Sequence, residues 1–101
     1  MAAVYDQADP VYGSLARVLQ RAFDQAASGK GKERHAKEGE RFEDQVIMEG
    51  ARRFGTGALL FQAYKKAEES QRLPTDRAIN ELLGAIVYLA AAVVHREESH
   101  E

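Results

Sequence analysis

The side chains best suited to engage an anion lie in one run, Gly29-Lys30-Gly31-Lys32-Glu33-Arg34-His35-Ala36-Lys37-Glu38-Gly39-Glu40-Arg41. Five cations there stand against three glutamates, for a net charge of +2. Glycines let backbone N–H groups come close to an anion, and Lys30, Lys32, Arg34, Lys37 and Arg41 supply positive charge. His35, between Arg34 and Ala36, can stack on a base or bond a phosphate. The Gly-Lys-Gly-Lys opening is not a nucleotide-hydrolase phosphate loop, which needs a strand before it and GxxxxGK followed by Ser or Thr. A solvated linker is the plainer alternative for such a charge run.

Further along, Arg52-Arg53 precede Gly55-Thr56-Gly57, and Lys65-Lys66 follow. If Thr56 caps a helix, its free N–H groups and the helix dipole favour phosphate. Residues one helical turn apart, such as 52 and 56 or 62 and 66, can converge. Gln45 and Gln62 can read base edges, while Phe42, Phe54, Tyr5 and Tyr12 can stack on bases, although each aromatic equally suits a core. The residues selected for a phosphate-and-base ligand are Lys30, Lys32, Arg34, His35, Arg41, Phe42, Gln45, Arg53 and Thr56.

Carboxylates offer a second chemistry. Acidic clusters on helices invite comparison with the all-α nucleotide pyrophosphohydrolases of the MazG type, which hold magnesium, a hard ion suited to oxygen ligands, between facing helices. The candidates are Glu40, Glu43, Asp44, Glu49 and Glu68-Glu69. The final helix should add two acids three residues apart, but Glu81 is followed by Gly84 and Ala85, so the set lacks a member. Acids near a helix start are also favoured by the dipole alone. His35, His95 and His100 form no ligand pattern, and Ser14, Ser28, Ser70 and Ser99 lie in no nucleophile-elbow context.

These groups must be positioned by helices. Asp9-Pro10 is a helix start, with an Asp cap and a Pro at the first helical position. Val11, Leu15, Val18, Leu19, Ala22, Phe23 and Ala26 then recur at spacings of three and four until Ser28-Gly29. A long mobile loop over about 29–41 is predicted next. A second helix beginning near Phe42 carries Val46, Ile47, Ala51 and Phe54, and Gly55-Thr56-Gly57 either breaks it before a third helix or kinks one helix over 42–71. Leu73-Pro74-Thr75-Asp76 separates the last helix, whose stripe is Ile79, Leu82, Leu83, Ile86, Ala90, Val93 and Val94. Val87, Leu89, Ala91 and Ala92 make that helix apolar well beyond one stripe, which fits burial by a second subunit through the 78–94 helix or by its own neighbours.

The chain of 101 residues suits a single helical domain over 1–101, with loose ends at about 1–8 and 97–101, and excludes a two-domain enzyme. The expected class is all-α, a three- to four-helix bundle with a long Gly/Lys-rich loop after the first helix, oligomeric because so small a core stabilises a monomer poorly. The absence of cysteine excludes disulfides, thiolate catalysis and cysteine-bound zinc. Fourteen Lys and Arg against sixteen Asp and Glu lack the basic excess of a duplex nucleic-acid binder. The start, Met1 to Pro10, contains Asp6 and Asp9 and no apolar stretch. Leu82 to Val94, the longest apolar run, falls short of the roughly 20 residues of a bilayer span. A cytoplasmic protein without membrane attachment or cofactor is therefore expected.

The segments Gly-Lys-Gly-Lys-Glu-Arg-His-Ala at 29–36, Arg41-Phe42-Glu43-Asp44-Gln45 and Glu81-Leu82-Leu83-Gly84-Ala85-Ile86 resemble a group of small phage-encoded helical proteins. The likeness covers roughly residues 28–96. Within that setting the chain resembles the anti-CBASS sponge proteins, which bind cyclic dinucleotide immune signals and sequester them without cleavage. The resemblance implies a non-catalytic, homo-oligomeric (dimeric or tetrameric) partner of a cyclic dinucleotide that evades host defence. A MazG-like pyrophosphohydrolase, or an inhibitor that binds a host protein through the apolar last helix, are the other readings.

Overall fold

The structure is a computed structural model that describes residues 5–28 and 37–99. Lys30, Lys32, Arg34 and His35 lie outside the described residues. Four α-helices follow in chain order: α1 over Gly13–Ser28, α2 over Val46–Phe54, α3 over Gly57–Ser70 and α4 over Thr75–Ser99. A 3-10 turn over Phe42–Asp44 precedes α2, and no strand occurs among the described residues. The all-helical class expected from periodicity is the one observed.

Local chemistry explains the boundaries. Asp9 Oδ1 accepts from the N–H groups of Val11 and Tyr12, each at 2.7 Å, at the entrance to α1. A turn at Glu38-Gly39 is closed by the Glu40 N–H donating to the Lys37 carbonyl at 3.0 Å. The helix expected from Phe42 starts later, because Gln45 is extended and only a 3-10 turn forms before it. At Gly55 the chain takes φ +88°, a conformation that side chains with a Cβ rarely adopt, and this ends α2. The single kinked helix over 42–71 therefore does not form. Contrary to the sequence expectation, Thr56 does not cap α3 through its side chain, since its backbone is already helical. Glu97 to Ser99, assigned above to a loose end, complete the last turn of α4.

Helix α4 touches each of the other three and packs most extensively on α3. Ile47, Met48 and Ala51 of α2, Leu59 of α3 and Ala91 and Ala92 of α4 form the core, with Phe42, Val87, Tyr88 and Val94 packed against it. Alanines on α4 let neighbouring helices approach closely, which explains its breadth of apolar surface. Helix α1 stands outside this cluster, buries Ala16 and Ala22, and is tied to α4 by Gln25 Nε2 donating to the Asn80 carbonyl at 3.1 Å. Residues 75–98 are long and apolar enough, by length and composition, to cross a membrane. The expectation from Leu82 to Val94 alone was too short, because the helix continues at both ends of that run. Its contacts with three helices bury only 28% of that apolar stretch, and Leu82, Leu89 and Val93 stay exposed.

Candidate functional site

A cleft of about 710 Å³ opens between α1, the 37–45 segment and α4. Such a volume falls within the range that encloses small organic ligands. Leu19, Ala22, Phe23 and Ala26 form its α1 wall, and Ile86, Val87, Ala90 and Val94 its α4 wall. Phe42 and Gln45 come from the intervening segment, with Lys37 and Glu40 beside them and Tyr5 at one end. The lining is mainly apolar and includes three aromatic rings, which suits a flat, weakly polar group such as a nucleobase better than a phosphate.

The placement of Phe42 and Gln45 follows from hydrogen bonds around them. Gln45 is buried, and its Nε2 donates to the Glu40 carbonyl at 3.4 Å. Arg52, one helix further on, donates to the Glu43 carbonyl and to Glu98 Oε2 at 3.0 Å. This guanidinium joins the 3-10 turn, α2 and the end of α4. The Glu43 carboxyl is held below its usual range chiefly by its own backbone N–H, with further help from Arg41. Arg41 donates to Glu43 at the exposed surface.

Of the nine residues selected from the sequence, Phe42 and Gln45 line this cleft. Arg41 is adjacent in the chain but pairs with Glu43. Arg53 is exposed and lies 3.4 Å from Glu49, one turn earlier on α2. Thr56 belongs to a different recess, along α3 and α4, where its hydroxyl shares a 2.8 Å hydrogen bond with His95 Nδ1. The remaining four lie outside the described residues. Lys37, counted only as part of the basic run, lines the cleft directly, as do Leu19 and Phe23, which periodicity assigned to a packed stripe. Their helical spacing marked an inward face but held no sign that part of this face borders open space.

The acids considered for magnesium are dispersed. Glu49 pairs with Arg53, Glu68 with Arg72, and Glu81 with Lys66. Among the described residues no group of three His, Asp or Glu side chains is placed to hold a metal ion. No protein-family model matches the sequence, and comparisons with curated proteins and with solved structures found no match.

Proposed function

We propose that this protein is a non-catalytic nucleotide binder that sequesters a cyclic dinucleotide, as a phage protein would do to deprive a host defence of its activating signal. The observation that supports this reading is the apolar cleft, walled by Phe23 and Phe42 and edged by Lys37 and Gln45. A base enters between the aromatic rings, Gln45 offers its amide to a base edge, and Lys37 meets a phosphate. Lys30, Lys32, Arg34 and His35 of the basic run are further ligand groups, whereas Arg41 and Arg53 pair with Glu43 and Glu49 and Thr56 lies in the other recess, so these three are left out of the site. The pairing of Glu49, Glu68 and Glu81 with cations favours binding over metal-dependent hydrolysis.

Binding of 3′,3′-cyclic GMP-AMP by the full chain and by two variants tests the assignment. Loss of one base–aromatic stack costs about 1–3 kcal/mol, so Phe42→Ala should weaken binding by roughly 5- to 150-fold. Lys37→Glu, at an exposed position, should also weaken binding and reduce its dependence on salt. Unchanged affinity in both variants, with helicity intact, would remove the cleft from the ligand site.

A further inference from the structure

The second recess lies on the outer face shared by α3 and α4. Leu60 and Tyr64, one turn apart on α3, are 48% and 66% exposed. Leu82, Leu89 and Val93, separated by seven and four residues, form a parallel exposed stripe on α4. Leu60, Leu89, Ala92 and Val93 line a shallow groove there, bordered by Arg96 and Glu97. Such a continuous set of large apolar side chains on one face marks a surface that another molecule covers.

We infer that this face is a homotypic interface, covered by the same face of a second copy of the chain. Three observations select that occupant. First, the interior is thin: Met48 is the largest side chain that is fully buried, and most other core positions are alanines. A chain with such a core gains most by burying its remaining apolar surface against itself. Second, the area is sufficient. Leu60, Tyr64, Leu82, Leu89 and Val93, at about half of their free area, supply roughly 450–500 Å² per chain, so a pair reaches about 1,000 Å², the threshold of specific interfaces. Third, the charges permit self-contact. An isologous interface brings a patch against itself, so a rim of one sign repels, whereas Arg96 beside Glu97 presents both signs.

The α1 face, with Leu15, Phe23 and Val11 of the preceding turn, is the weaker candidate because Phe23 also lines the cleft and α1 stands apart from the main core. The α3–α4 pair is the most extensively packed in the molecule and provides a firmer platform. This assembly is independent of the ligand reading.

Light scattering after size-exclusion chromatography, across a range of protein concentrations and without nucleotide, tests the interface. The full chain should run at two or more times its 11.2 kDa mass. Leu89→Glu and Val93→Glu, at half-exposed positions, should each shift it to a single chain mass with unchanged helical dichroism. Val11→Glu, in the turn that leads into α1, should leave the assembly intact. A wild-type monomer at high micromolar concentration overturns the inference, whether it stays free or floats with lipid vesicles. So does an assembly that survives both α4 variants but is lost with Val11→Glu. Nucleotide binding by a protein that remains monomeric would separate failure of this interface from failure of the proposed function.

Discussion

Gly84 leaves room on α4 for the Lys66 side chain of α3. A Cβ at this position would lie 3.0 Å from Lys66 Cδ and 3.2 Å from its Cε. The Lys66 stem therefore lies across the glycine, and its ammonium reaches Glu81 Oε2 at 3.3 Å and the Tyr88 ring at 6.0 Å from the centroid. Gly84→Val should displace the stem and lower stability by roughly 1–3 kcal/mol, as overpacking does. Denaturant melts of this variant with and without Lys66→Ala check the cause: the second change should recover part of the loss, and no recovery would reject the steric account. At the other end of the chain, the N–H groups of Tyr12 and Val11 hold the Asp9 carboxyl below its usual range. A lowered carboxyl pKa in the folded state stabilises it above the unfolded value, near about 4, and the effect fades as pH falls through the lowered folded value. Acid titration followed by dichroism should show a smaller loss of helicity in Asp9→Asn, whose amide oxygen still accepts, than in the wild type. Coincident titrations would show that this carboxylate does not stabilise α1.

At the scale of elements, α2 is short but central. Its Met48 is completely buried against α3 and α4, whereas Phe54 at its end is 81% exposed. Met48→Ala should cost about 2–5 kcal/mol by removing core contacts and leaving a cavity. Phe54→Ala should change stability by less than about 0.5 kcal/mol. Thermal or denaturant melts of the two variants give the comparison, and similar losses in both would contradict the burial pattern. The sequence displayed α1, α2, α3 and α4 through their apolar periodicity and through Asp9-Pro10, Gly55 and Pro74. It did not display which apolar residues stay exposed, because Phe23, Phe54 and Val93 stand in the same apolar stripes as residues that pack. That distinction arises only when helices of unequal length pack, leaving parts of their apolar faces beyond the reach of a neighbour. Phe42 and Gln45 were legible as candidates by residue type. Their sharing of one cleft with Phe23 and Val94 is set by tertiary packing, as is the Arg52 bridge from the Glu43 carbonyl to Glu98.

At the scale of the whole molecule, the cleft beside α1 has room for a small ligand, while the groove between α3 and α4 is shallow and apolar. A central helix with exposed apolar stripes on more than one side connects them. A ligand with two-fold symmetry would match paired chains, each supplying the same cleft. The cleft brings Phe42 and Gln45 of the Arg41–Gln45 segment together with α1 and α4.

The most direct measurement is calorimetric titration of the full chain with 3′,3′-cyclic GMP-AMP, followed by chromatography of the ligand released on denaturation. Saturable heat and recovery of the intact cyclic dinucleotide are the predicted result. A cleaved product would contradict sequestration, and the absence of binding to this and related cyclic dinucleotides would contradict the proposed function itself.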